Sequence, residues 1–225
     1  MIVILPVGIL EAHGPHAALG NDFLIPAKIA EMLDAKIPNG AVLWPLAYGY
    51  DTRHIGFSGT LSLRLSTFEH VVQDIVRSLV RQRFRRFVVV NGHQPNLTII
   101  YRALEALSVE ENLEFTAIVA NWWEVLGGRI KELFPDQYSD VHGGVVETSA
   151  LAAVDEKLVG EIPHGITPLV KDERYHIVPS RKHFTAAQAV YASPEGYDPE
   201  KGMQMLEETA AAFAKIVKEI FSEGE

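Results

Sequence analysis

The chain has 225 residues, 48% of them hydrophobic, a formal net charge of −9 and no cysteine. The length and apolar share suit one globular domain, expected over residues 1–225, with a sizeable core. Lack of cysteine excludes disulfides, thiolate metal sites, Fe–S clusters and cysteine nucleophiles. The acidic balance, without a basic block, argues against nucleic-acid or anionic-membrane partners, because phosphate binding needs clustered Lys and Arg.

The first apolar run, 2–7, reads as a strand. It lacks a basic lead-in and runs straight into polar residues, so it is not a signal peptide, and a cytoplasmic protein is expected. No apolar run is long enough to span a bilayer. Further strands are predicted over 41–47, 87–90 and 115–120, all short and nearly continuous, as in strands covered on both faces. Helical periods lie between them. Ile25, Ile29, Met32 and Leu33 mark 22–34. Phe68, Val72, Ile75 and Leu79 mark 67–84, with Ser66 and Glu69 as a capping box. The basic cluster Arg81 to Arg86 closes that helix, where cations complement the dipole. Leu97, Ile100, Leu104 and Leu107 mark 97–107, and Leu206, Ala210, Phe213, Val217 and Ile220 mark 199–221. Strands alternating with helices predict an α/β fold, a parallel sheet with helices on both faces. Residues 160–199 carry five prolines and little periodicity, and read as a long excursion that covers the site or meets another subunit.

In such a sheet, ligands bind beyond the carboxyl ends of the strands. Polar clusters fall at four of these ends: Glu11 and His13, Tyr48-Gly-Tyr-Asp51, Asn91-Gly-His93, and Asn121-Trp-Trp123. The stretch Glu11-Ala-His-Gly-Pro-His-Ala-Ala-Leu-Gly-Asn-Asp22 packs carboxylates and imidazoles in a pattern that a metal site needs and a core does not. Glu11 and His13, two apart in an extended segment, can face one cavity. Asp, Glu and His without sulfur suit Mn, Zn, Fe or Co. A carboxylate such as Asp22 can bridge two ions, as in two-metal hydrolases. In His142-Gly-Gly-Val-Val-Glu-Thr-Ser149 the glycines permit close backbone approach. Glu147 opens an apolar helix there, where it is either ordinary dipole compensation or, with the other clusters, a ligand.

Pro6-Val-Gly-Ile-Leu-Glu-Ala-His-Gly-Pro-His16 resembles the signature of the creatininase (creatinine amidohydrolase) family. So do Gly20-Asn-Asp22, Phe57-Ser-Gly-Thr60, Asn91-Gly-His93 with Asn96, and the segment from His142 to Ser149. The resemblance runs in order from about residue 3 to 155. It implies a three-layer αβα fold with a mostly parallel central sheet, and two divalent metal ions (Zn, Mn or Fe). By motif, Glu11 and His93 hold one ion, His13 and Glu147 the other, and Asp22 bridges them. Glu147 thereby belongs to the catalytic set, and His142 is the general acid/base. Ser58, Gly59 and Thr60 line the substrate pocket. The resemblance implies hydrolysis of a C–N bond in a small, cyclic amide by a metal-bound hydroxide, and a homo-hexamer. Within the family, the alternatives are a cyclic-diketone (inosose-type) hydrolase and a mycofactocin-precursor-type peptidase. A remoter one is a metal-holding, non-catalytic ligand-binding oligomer. Departures from the pattern bear on the substrate. Gln94-Pro95 stands where creatininase has Tyr-Glu, whose glutamate is a ligand, and Ser58 stands where proline is usual.

Other polar and aromatic residues are weighed singly. Trp122 and Trp123 are core aromatics, the commoner fate of Trp, or pocket walls after a strand end. His16 reads as structural support, and His54 as either a substrate contact or a solvated loop residue. His70 reads as solvent-facing. His164, His176 and His183 read as non-ligands, and Asn91 and Asn96 as residues that fix loop geometry.

Overall fold

A computed structural model describes residues 1–135, 142–166, 178 and 189–222. Four parallel strands lie in the order β2-β1-β3-β4. They are β1 (Ile2–Val7), β2 (Gly40–Val42), β3 (Arg86–Asn91) and β4 (Thr116–Asn121). Successive strand residues point to opposite faces, and the two cores follow that alternation. Ile2, Ile4, Val88 and Val90 pack on one face with α1 (Asn21–Asp34), α6 (Val145–Val154) and α7 (Pro199–Ser222). Val3, Leu5, Val7, Phe87 and Val89 pack on the other with α2 (Leu65–Arg81) and α3 (Gln94–Val109). The result is the three-layer αβα arrangement, with short helices α4 (Trp122–Val125) and α5 (Arg129–Leu133) after β4.

The chain leaves β1 outward to β2, then crosses back to β3 and on to β4. The direction of winding reverses between β1 and β3, which is where a crevice opens in sheets of this order. Asn96 stitches that crevice: its Nδ2 donates to the Gly8 carbonyl (3.1 Å), and its Oδ1 accepts from Tyr50 N (2.9 Å). Asn91 Nδ2 donates to the His93 carbonyl and to Asn121 Oδ1, both at 2.6 Å. Both asparagines thus hold loop geometry.

Element boundaries depart from expectation for identifiable reasons. The strand expected over 41–47 is regular only over Gly40–Val42. Pro45 has no N–H to give the ladder, Trp44 swings out to 92% exposure, and pairing resumes where Leu46 N donates to the Pro6 carbonyl (3.0 Å). Helix α2 begins at Leu65 with Arg64 as N-cap and no side-chain cap bond, so Ser66 lies inside the first turn and the capping box does not form. The helix ends at Arg81 because Arg83 turns left-handed (φ 72°), while Phe84 N donates to the Leu79 carbonyl. Helix α3 starts three residues early, at Gln94, since Pro95 is well suited to a first helical turn. Helix α6 starts at Val145, placing Glu147 within its first turn. Most of the 160–199 excursion, with His176 and His183, lies outside the described residues. Its end does not: Ala189, Val190, Tyr191 and Ala192 are buried, and Tyr191 N donates to the His142 carbonyl (3.0 Å).

Candidate metal centre

Donors reach one crevice from four places. Glu11 and His13 come from the loop after β1, Asp22 from the first turn of α1, His93 from the N-cap of α3, and Glu147 from the first turn of α6. Asp22 is brought there by two glycines. A Cβ on Gly8 would stand 2.1 Å from the Asp22 carbonyl oxygen, and one on Gly92 2.0 Å from the same atom. Only residues without side chains let the start of α1 settle between the ends of β1 and β3.

The carboxylate of Asp22 faces two ways. Its Oδ1 lies 2.9 Å from His13 Nε2, and its Oδ2 lies 3.0 Å from His93 Nδ1. Beyond His13, Glu147 Oε2 stands 3.5 Å from the same Nε2; beyond His93, Glu11 Oε2 stands 2.9 Å from the same Nδ1. Each imidazole uses its other nitrogen on the backbone: His13 Nδ1 donates to the Glu11 carbonyl (3.2 Å) and His93 Nε2 to that of Tyr50 (3.1 Å). That fixes both tautomers and aims the remaining lone pairs at the carboxylates, the usual outer support of ligating histidines. The five residues are 0–5% exposed. Glu11 Oε1 and Oε2 and His13 Nε2 make no well-formed hydrogen bond, although charged neighbours crowd them. Buried polar atoms left so are uncommon, and one donor atom each from Glu11, His13 and Asp22 lies within 4.8 Å of the others. The donor set suits hard or borderline divalent ions. A metal fits.

Without an ion, protons take its place. Burial alone would lower His13, but the Asp22 and Glu147 carboxylates outweigh it and raise it to about 10. Burial would likewise lower His93, which Glu11 and Asp22 hold well above its ordinary value. Burial would raise Asp22, yet His13 and His93 keep it well below the carboxylate range. For Glu147, burial wins against the pull of His13 and, with Asp22 nearby, lifts it to about 8.

His142 is half-buried over the cluster, its ring 4.1 Å from that of His13 and stacked at 4.3 Å on that of His54. Its Nε2 donates to the Ala12 carbonyl (3.3 Å), so Nδ1 carries the lone pair. Desolvation, then the charges of His13 and His54, push it well below its ordinary pKa.

Among the residues expected to line a pocket, Thr60 Oγ1 accepts from Ala12 N (3.0 Å), bracing the segment between Glu11 and His13. Ser58 and Gly59 are exposed beside it. Trp122 is 1% exposed within the core, edge-on to half-buried Trp123, which favours the packing role for Trp122. His16 Nε2 donates to Thr148 Oγ1 (3.1 Å), and burial lowers its pKa to about 4. His70 is exposed, and His164 is exposed and paired with Glu195.

Asp51 and His54 are deeper than their loop sequence suggested. They are 2% and 4% exposed. His54 Nδ1 is in close contact with Glu11 Oε1, and its Nε2 shares a 2.5 Å hydrogen bond with Tyr191 Oη. Irregular loops carry no period that would reveal such burial; the signals were the polar cluster at the end of the second strand and, for His54, the family resemblance of its loop.

The sequence matches the family model described as creatinine amidohydrolase over residues 1–217. This chain belongs to the creatininase family. It is 32% identical to creatinine amidohydrolase of Pseudomonas putida, across 98% of this chain and 90% of that one. It is 33% identical to the mycofactocin precursor peptide peptidase of Mycolicibacterium smegmatis, across 74% of this chain and 64% of that one. A crystal structure of creatininase superposes with a TM-score of 0.89 at 30% identity, covering 98% of this chain and 90% of that one. Creatininase structures of the same fold include a zinc–zinc form and a manganese form, at TM-scores of 0.88 and 0.86. Among the described residues, no helix of this family member is long and apolar enough to cross a membrane.

Proposed function

We propose that the protein is a metal-dependent amidohydrolase that opens a C–N bond in a small, cyclic amide. The supporting observation is the convergence of five buried donors around an Asp22 carboxylate whose two oxygens face opposite histidines. On this reading Glu11 and His93 hold one divalent ion, His13 and Glu147 a second, and Asp22 lies between them. Zinc or manganese is the choice that the family's solved forms support. Bound there, such ions supply positive charge that polarises a carbonyl and acidifies a water.

The chain's own groups do the rest. His142 stays neutral near pH 7, with the Nε2 proton parked on the Ala12 carbonyl and Nδ1 as the basic atom. It takes the proton that the attacking water loses and delivers it to the departing nitrogen, so water's OH ends on carbon and its H on nitrogen. The backbone N–H of Gly143 donates to Glu147 Oε2 (2.8 Å), which keeps that carboxylate aimed inward. Ser58, Gly59, Thr60 and Trp123 form the rim that selects the ring. Family resemblance also supports a homo-hexamer. The exposed Trp44, Tyr48 and Leu61, all beyond edge strand β2, suit a subunit contact.

Asp22→Ala is expected to remove both bound metal and turnover. Elemental analysis and a panel of cyclic amides, scored by amine release, test this. A mutant that stays loaded and active overturns the assignment.

A further inference from the structure

Two divalent ions carry four positive charges. The carboxylates of Glu11, Asp22 and Glu147 supply three negative ones, and the histidines none when they ligate. Until a water there ionises, one net positive charge is left in a buried crevice, which is costly. Asp51 lies on the loop after β2, 2% exposed, on the same side of the crevice as Glu11 and His93. One donor atom each of Glu11, Asp51 and His93 falls within 4.8 Å of the others. Its oxygens are unequally used. Oδ2 accepts from the backbone N–H of His54 (2.6 Å). Oδ1 is buried with no hydrogen-bond partner, 3.4 Å from His54 Nδ1 and 4.0 Å from His93 Nε2. Among the described residues, Asp51 pairs with no lysine or arginine.

We infer that Asp51 is the fourth acidic member of the cage and sets how tightly the ion beside Glu11 and His93 is held. The inference rests on the dinuclear reading above. A competing role is local: Asp51 could serve the turn through Oδ2 and share its charge with His54 alone. Asp51→Asn separates the two, because the amide keeps an oxygen for the His54 N–H and loses only the charge.

The test is a manganese titration of the metal-stripped full-length protein, wild type against Asp51→Asn, with free Mn²⁺ read by electron paramagnetic resonance. The expected result is two ions bound by the wild type. In the variant one dissociation constant is weaker by about 10- to 100-fold, the range for losing a supporting carboxylate, and the other changes less than threefold. Two unchanged constants overturn the role of Asp51 and leave the hydrolase reading standing. A wild type that binds no manganese and, in a parallel titration, no zinc overturns both. If Asp51→Asn does not fold, Asp51→Ser, whose hydroxyl can still accept in the turn, takes its place with the same readouts.

Discussion

At the scale of single residues, the metal-free cluster balances its charge with protons. His13 at about 10 and Glu147 at about 8 both lie above their ordinary 6.5 and 4.5, and His93 and His54 are raised too. Above pH 6.5 the metal-free folded chain therefore holds protons that the unfolded chain has released. Stability then falls as pH rises from 6.5 toward 10. Asp22, depressed, acts in the opposite sense only in acid, where its contribution is lost as pH falls below 4. Scanning calorimetry of chelator-treated protein is expected to give a lower Tm at pH 9 than at pH 6.5. A divalent ion replaces those protons, so its stabilising effect is larger at pH 9. A metal-free Tm that rises over this interval contradicts the assignment of charges. His142→Gln addresses a different residue. It is expected to lower kcat by about 10²- to 10⁴-fold, the usual worth of a positioned acid/base, with metal content unchanged by elemental analysis. How far these side chains can be read from sequence differs. Glu11, His13, Asp22, His93 and Glu147 sit in short motifs whose spacing is itself the signal. Asp51, His54 and Tyr191 sit in irregular segments, and only tertiary folding buries them.

At the scale of elements, two glycines do what no donor does. Gly8 and Gly92 leave room for the Asp22 carbonyl, and a methyl group at either would meet that oxygen at about 2 Å. Gly8→Ala is expected to cost about 1–3 kcal/mol, as over-packing does, and to weaken metal binding by displacing the first turn of α1. Urea unfolding and metal analysis read the two effects. Unchanged values in both would mean that α1 has slack the distances do not suggest. The strands and long helices were legible because apolar alternation and helical period are set by burial on one face. The ends were less so. The capping box at Ser66 was outweighed by a helix that starts two residues earlier than expected, at Leu65. Strand β2 was cut short by Pro45, whose effect shows only once a neighbouring strand needs its N–H.

At the scale of the molecule, the order β2-β1-β3-β4 puts the donor cluster at the reversal between β1 and β3. The alternation of strands and helices predicted that region without locating it. Metal is expected to stabilise the whole fold by mass action: an ion at 100 times its dissociation constant adds about 2.7 kcal/mol. For a chain of this size that is a rise in Tm of roughly 5–10 °C. Thermal melts with and without chelator measure it, and coincident melts would rule out a native, preformed cage.

The donors are also far apart along the chain: Glu11 and Glu147 are 147 − 11 = 136 positions apart. On the ribosome, Glu11, His13, Asp22 and His93 are synthesised well before α6 exists. On the proposed assignment the nascent polypeptide can shape the pocket for the first cation while the second still lacks Glu147. Full loading then waits for translation to pass α6, and a prematurely terminated product ending before it would carry half a centre at most.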